Sequence, residues 1–221
     1  MRCLVKQGGG LCERLRVGAV LLAAGEGSRL GSVPKCLLRL QGVPLIHRHL
    51  IALSEGGIDD VVVVTGYHHA EIEPALDAFS ATVVRNPHPE SGQQSSVRLG
   101  MEALGSACDL MLVVLADQPL LSSAEFTELI AAFKQRPAGA SILYPEVRGV
   151  RGNPVVFSGE VIADLFSMPQ SFNCRKFMDD HPELVHKHIS DNDRYIIDLD
   201  TPEDLRAFEK KTGWALSMKR P

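Results

Sequence analysis

Between Val17 and Lys35 the chain reads Val-Gly-Ala-Val-Leu-Leu-Ala-Ala-Gly-Glu-Gly-Ser-Arg-Leu-Gly-Ser-Val-Pro-Lys, and this stretch gathers the residue types that best hold an anion. Gly25, Gly27 and Gly31 allow positive φ and let backbone N–H groups approach a ligand with no Cβ in the way. Arg29 adds a planar fork of donors and Lys35 a mobile point charge, the two usual ways to hold phosphate. The apolar run Val17 to Ala23 predicts a buried strand leading into the loop. Strand and loop together suit the wrapping of a nucleoside triphosphate.

Three phosphate loops compete for the pattern. A Walker A loop needs Gly-Lys followed by Ser or Thr at a helix start, and the chain has none there. A Rossmann fingerprint needs G-x-G-x-x-G, but here the third glycine comes one residue late. It also wants an acid at the end of the second strand to hold a ribose. That strand, about Val61 to Thr65, ends in Thr-Gly, and Asp59 and Asp60 sit at its other end. What remains is Ala-Ala-Gly-x-Gly-x-Arg-x-Gly followed by Pro-Lys. Leu22-Ala23-Ala24-Gly25-Glu26-Gly27-Ser28-Arg29-Leu30-Gly31 with Pro34-Lys35 resembles the signature of nucleotidyltransferases that share the sugar-nucleotide pyrophosphorylase fold. Among these it is most similar to the molybdenum cofactor cytidylyltransferases.

The resemblance extends along much of the chain, roughly Val17 to Phe208. Asn86-Pro87, then Gly92-Gln93-Gln94-Ser95-Ser96-Val97 and Gly100-Met101, resemble the family's second nucleotide segment. There a loop and helix N-terminus lie over base and ribose, which implies roles for Gly92 and Ser96. Family members often carry Met where Gln93 stands. A fourth apolar strand, Leu110 to Ala116, ends in Asp117-Gln118-Pro119, and the resemblance makes Asp117 a magnesium ligand. Thr201-Pro202-Glu203-Asp204 reads as a capped helix start and leaves Asp200 unexplained. The resemblance makes Asp200 the second magnesium ligand, with Asp198 in reserve. Leu22-Ala23-Ala24-Gly25, where guanylyl members tend to have Leu-Ala-Gly-Gly, favours CTP.

Arg148 and Arg151 in a Gly/Pro turn would suit a second anionic substrate; the alternative is a solvated basic hairpin. Arg151-Gly152-Asn153-Pro154 resembles the family's Arg-Gly-x-Pro, where His often stands in place of Asn153. Ser171-Phe172-Asn173-Cys174-Arg175 keeps only the arginine of the family's Gly-Ala-Arg. Arg151, Asn153 and Arg175 are therefore the expected acceptor-binding residues.

The elements that must position these groups follow from periodicity. Cys36 to Leu40 reads as extended, and Pro44 opens a helix carrying Leu45, Ile46, Leu50, Ile51 and Leu53. Helices are predicted over His68 to Phe79, from a cap at Ser95 or Ser96, over Ala124 to Gln135 and over Gly159 to Phe166. Strands are predicted at Thr82 to Arg85, Ser141 to Val147, Val155 to Phe157, Leu184 to Ile189 (an edge) and Tyr195 to Leu199. The alternation predicts one α/β domain of three layers, α/β/α, with a mainly parallel, mixed sheet and ligands at the strands' carboxyl ends. The chain divides into a flexible leader (1–16), the nucleotidyltransferase domain (17–212) and a tail (213–221).

A chain of 221 residues with net charge −4 has no global attraction to nucleic acid or to an anionic membrane. It has no apolar run of spanning length and no signal-peptide core, so a cytoplasmic protein is expected. The five cysteines are odd in number and lack metal-ligand spacing, which reads as reduced thiols. His47 and His49, two apart on a helix, point in different directions. His186 and His188 read as solvated edge residues.

The resemblance implies that CMP from CTP is joined, with Mg2+, to the phosphate of a molybdopterin cofactor as pyrophosphate leaves. Arg29, Lys35 and Asp117 would be catalytic, Ala23, Ala24, Gly25, Gly27, Ser28, Gly31, Gly92 and Ser96 nucleotide-binding, and Asp117 and Asp200 metal-binding. A recipient molybdoenzyme or its chaperone would be the protein partner. Three alternatives stay open: the same transfer to a sugar phosphate or methylerythritol phosphate, a carrier that binds cofactor without turnover, and a nicotinamide oxidoreductase.

Overall fold

Val17–Ala23 is buried along its whole length, as an apolar run covered on both faces requires, and it forms an inner strand, β1, of an eight-stranded sheet. The computed structural model describes residues 4–7, 10–13, 15–58, 60–105, 108–166 and 173–218. Cys3, Asp59, Ser171 and Phe172 lie outside the described residues, as do positions 1–3, 8, 9 and 14 of the expected leader. Within that leader, Leu4–Gln7 and Gly10–Glu13 pair antiparallel as a sheet of their own.

The other strands of the main sheet are β2 (Asp60–Thr65), β3 (Thr82–Arg85), β4 (Leu110–Leu115), β5 (Ile142–Val147), β6 (Val150–Arg151), β7 (Val155–Ser158) and β8 (Val185–Ser190). They hydrogen-bond in the order β6-β5-β7-β4-β1-β2-β3, with β8 on β5 off that path. The run β4-β1-β2-β3 is parallel throughout, and β8 is parallel to β5. β7 is antiparallel to both β4 and β5.

The helices are α1 (Leu45–Glu55), α2 (His69–Ile72), α3 (Gln93–Leu104), α4 (Ser123–Lys134), α5 (Gly159–Phe166), α6 (Cys174–Asp180) and α7 (Pro202–Thr212). Successive strand residues face opposite sides, so β1 feeds two cores. Ala19 and Leu21 pack with Ile46, Leu50, Phe126 and Leu129 from α1 and α4. Val20 and Leu22 pack with Val97, Met101, Ile162 and Phe177 from α3, α5 and α6. The result is the expected α/β fold with a mixed, mainly parallel sheet between helical layers. No helix among the described residues is long and apolar enough to cross a membrane.

Local expectations fail at four places. The helix expected over His68 to Phe79 stops at Ile72 and continues as a 3-10 turn, Glu73–Leu76, because Pro74 cannot donate to the α ladder. Neither Ser95 nor Ser96 caps α3, which starts at Gln93 after Gly92, whose φ is 92°; the amide of Asn86 donates to both serine hydroxyls instead, at 2.8 and 2.9 Å. Lys35–Leu37 is a 3-10 turn, and only Arg39–Leu40 of the predicted extended piece is strand. Residues 196–200 form no strand. Their backbone bonds go to loops: Leu199 N–H donates to Asp117 O at 3.2 Å, and Tyr195 O accepts from Asn153 N–H at 2.9 Å.

Gly100 shows how closely α3 lies on the sheet. A Cβ there would come within 2.2 Å of Val20 Cγ1 and 2.9 Å of Val64 Cγ2. Gly100→Ala is expected to destabilise the fold by about 2 kcal/mol through overpacking, read from the urea midpoint. A loss under about 0.5 kcal/mol, the ordinary range for a surface substitution, would show that the helix can back away.

Candidate active site

The carboxyl ends of β1, β2 and β4 point to one edge of the sheet, where ligands of open parallel sheets bind. The loop after β1 lies there and makes a tight turn. Ser28–Leu30 is a 3-10 turn between Gly27, at φ 67°, and Gly31, at φ 82°. A Cβ on Gly27 would meet the Val33 carbonyl oxygen at 2.2 Å, so this glycine is required by the loop's own path. Gly25 differs: it is exposed, and a Cβ there would meet nothing within 4 Å. The missing side chain at Gly25 leaves room on the open side.

A cleft of about 360 Å³ opens along this loop. Ala23, Ala24, Gly25, Arg29 and Lys35 line it from β1 and its loop. Gly92 and Ser96 line it from the start of α3, and Asp117, Asp198 and Asp200 from the far wall. Gly27, Ser28 and Gly31 are not in the wall and shape the turn behind it. Tyr67 and Pro89, which the sequence reading did not single out, are also in the wall. The signal for Tyr67 was its position, directly after the carboxyl end of β2.

Lys35 is the centre of the charged groups. Its Nζ donates to Asp117 Oδ2 and, at 2.7 Å, to Asp200 Oδ1. Arg29 donates to the other oxygen of Asp200, at 2.5 Å. Asp117 is set by the end of β4. Asp200 is set by the Leu199–Asp117 backbone bond and by the capping box of α7, in which Asp204 Oδ2 accepts from Asp200 N–H at 3.1 Å and Thr201 N–H at 2.7 Å. The predicted meeting of Asp117 and Asp200 beside the glycine loop is thus what the chain builds, although Asp200 arrives on a loop segment and not a strand.

The electrostatics follow from this crowding. Burial works against a charged Lys35, but Asp117 and Asp200 outweigh it and hold its ammonium above the ordinary lysine range. Burial also opposes ionised Asp200, and Lys35 and Arg29 overcome it, leaving that carboxyl below the usual range. Asp198 is pushed up, first by burial and then by the charges of Asp200 and Asp117. Cys36, buried beside Lys35, is driven up to about 12 by burial and the Asp117 charge, so its thiol stays protonated and inert. Each Lys35 contact is worth on the order of 4 kcal/mol of Coulomb energy at an effective dielectric of 20, before desolvation, and the exposed Arg29 contact far less because solvent screens it.

This donor set suits a hard divalent cation. Carboxylate oxygens are the ligands magnesium prefers, and the wall carries four acids, Glu26, Asp117, Asp198 and Asp200, against two cationic side chains. Among the described residues no group of three or more His, Cys, Asp or Glu forms a complete metal cage. Asp117 and Asp200 would therefore hold the ion with water and substrate oxygens completing the shell, which is magnesium's habit.

A second cavity adjoins the first, and Gln93 and Leu115 line both. Arg151, Asn153 and Arg175, the three residues expected at the acceptor, all line this second cavity. Arg151 lies over the Tyr144 ring at 4.5 Å and donates to Asp179 at 2.8 Å, while its Nη1 has no hydrogen-bond partner. Arg148 does not join them; it pairs with Asp193.

Residues 19–185 match the MobA-like NTP transferase domain. A bifunctional protein GlmU of Sorangium cellulosum is 38% identical over 120 residues, 52% of this chain and 25% of that protein. The chain thus spans about a quarter of that relative's length. Nicotine blue oxidoreductase of Paenarthrobacter nicotinovorans is 30% identical over 86% of this chain and 94% of its own length. Among solved structures, a nucleotidyl transferase from Methanothermobacter thermautotroptrophicus superposes with a TM-score of 0.72 at 24% identity, covering 89% of this chain and 97% of the other.

Removing Lys35 should expose the two carboxylates to each other. In Lys35→Met the ligand-free melting temperature is expected to fall and then rise by about 3 °C or more on adding millimolar MgCl2 at constant ionic strength, as cation binding to the folded state demands. Wild type should respond less, because the ammonium competes. Equal responses in a thermal-shift titration would mean that Asp117 and Asp200 are not a cation site.

Proposed function

This chain belongs to the MobA-like NTP transferase family, and from that premise we propose that it is a magnesium-dependent nucleotidyltransferase that joins CMP from CTP to the phosphate of a molybdopterin-type cofactor. The observation that carries the reading is the single ammonium of Lys35 shared by Asp117 and Asp200 at the open end of the glycine loop. A nucleoside triphosphate entering the cleft brings several negative charges to a place where both cationic side chains are already paired. Exchange would resolve this: Lys35 and Arg29 would pass to the phosphates, and the released Asp117 and Asp200 would be free to hold a divalent cation. Magnesium on those two acids supplies charge neutralisation between the nucleotide and the incoming phosphate.

The remaining work falls to the chain's own groups. Gly25 lets the backbone approach the triphosphate, and Arg29 and Lys35 stabilise it and the departing pyrophosphate. An oxygen of the acceptor phosphate attacks the α-phosphorus, and the bond to the β-phosphate oxygen breaks. A phosphate monoester has its second pKa near 6, so the attacking oxygen is already largely ionised at neutral pH and no general base is needed. Arg151, with an unpaired Nη1, and Arg175 suit an anionic acceptor in the adjoining cavity, close enough that Gln93 and Leu115 serve both. CTP is favoured by the resemblance of Leu22-Ala23-Ala24-Gly25 to cytidylyl members. Transfer to another phosphate, of a sugar or of methylerythritol, uses the same groups.

One observation favours a second reading. The relative that matches over nearly its full length is named an oxidoreductase. Against it, β2 itself carries no acid at its carboxyl end, and Glu73, which accepts from the Thr65 hydroxyl there at 2.8 Å, is also bonded to Arg85 at 3.0 Å.

The purified chain with CTP, MgCl2 and the molybdopterin cofactor is expected to release pyrophosphate, faster than with GTP or ATP. Binding of cofactor without pyrophosphate release would favour a carrier, and consumption of NADH or NADPH the oxidoreductase. Asp117→Ala should lower the rate at least 100-fold, as loss of a metal-holding carboxylate does, with an unchanged circular-dichroism spectrum. Near-normal turnover in that variant would remove Asp117 from the mechanism.

A further inference from the structure

The turn that follows β2, Gly66-Tyr67-His68, is packed directly onto the glycine loop. A Cβ on Gly66 would come within 2.7 Å of the Ala24 carbonyl oxygen and 2.9 Å of the Ala24 Cβ. Tyr67 N–H points to Ala24 O at 3.5 Å. His68 reaches furthest: its Nε2 lies 2.8 Å from the Glu26 carbonyl oxygen, 42 residues away in sequence. A carbonyl can only accept, so Nε2 is the donor. The ring is largely buried, 14% exposed, and its Nδ1 stands 3.6 Å from Glu71.

Glu26 is in the cleft wall, and its carbonyl belongs to the peptide that leads into Gly27. Gly27 sits at φ 67° and ψ 27°, a region open to glycine in which the preceding peptide plane can turn over at little cost. Turned one way, the Glu26 carbonyl meets His68. Turned the other way, it loses that bond, and the loop between Gly25 and Gly27 takes a different course along the cleft. Nothing else among the hydrogen bonds of the described residues holds that carbonyl.

We propose that His68 is a positioning residue for the triphosphate, acting through its hydrogen bond to the Glu26 carbonyl to hold the glycine loop in the orientation that receives phosphate. This rests on the nucleotide reading above only for the identity of the ligand; the loop's conformation is tested without one.

Two variants separate the hydrogen bond from packing. Gln places an amide nitrogen at about the reach of the imidazole Nε2, whereas Leu keeps the bulk and donates nothing. In His68→Leu the Kd for CTP with MgCl2, measured by calorimetry, should rise about tenfold, the value of one hydrogen bond made well. His68→Gln should stay within about twofold, as expected if the donor is what matters. In ligand-free protein, hydrogen exchange at Gly27 to Leu30 should quicken in the Leu variant and not in the Gln variant, with β1 and β4 unchanged. Should His68→Leu fail to fold, His68→Asn, whose shorter amide cannot reach Glu26, takes its place. Equal behaviour of the donor and non-donor variants in exchange would overturn the proposal. Wild type that does not bind CTP, with the exchange difference intact, would overturn the nucleotide reading and leave the positioning role standing.

Discussion

One ammonium group holds the site together. Lys35 Nζ is bonded at once to a carboxylate 82 residues onward and to another 165 residues onward. The three groups come from the loop after β1, the end of β4 and the segment that leads into α7. Their like charges would drive Asp117 and Asp200 apart, and the crowding already pushes the neighbouring Asp198 carboxyl up. The structure therefore depends on a cation between them, and Lys35 fills that role in the ligand-free chain. Burial opposes its charge, and the paired acids more than offset this. The same contact organises the cleft and sets the condition for its use, because ligands must redistribute these pairs.

Much of this was legible before any coordinates. Val17–Ala23 declared itself as a doubly covered strand, and the loop after it as a glycine turn, because apolar continuity and glycine spacing are local signals. Asp117 was legible for the same reason: it is the first acid after a strand that could only be buried. The capping box of Thr201 and Asp204 was visible as a helix start, and it proves to be the device that holds the Asp200 backbone.

Two of the failures share a cause, which is partners distant in sequence. Tyr195 to Leu199 alternates like a strand but has no strand beside it; its polar backbone atoms are taken by Asp117, Gln118 and Asn153. Ser95 and Ser96 are good caps in isolation, yet Asn86 claims their hydroxyls from outside the helix. Tyr67 and His68 carry no motif and gain their place only because β2 lies parallel to β1, which brings the two loops together. The acceptor residues show the mixed case. Arg151 and Asn153 were marked by a Gly/Pro turn, but only the fold shows that Arg175 joins them in one cavity.

The backbone bond from Leu199 to Asp117 has a consequence for how the molecule comes into being. A chain emerging from the ribosome presents Lys35 and Asp117 early, with the central strands already able to pair. The second acid and the helix cap that steadies it are made after both. Until then the growing chain holds a matched pair of opposite charges, Lys35 and Asp117. The three-way charge cluster closes only when the segment around Leu199 docks on the Asp117 carbonyl.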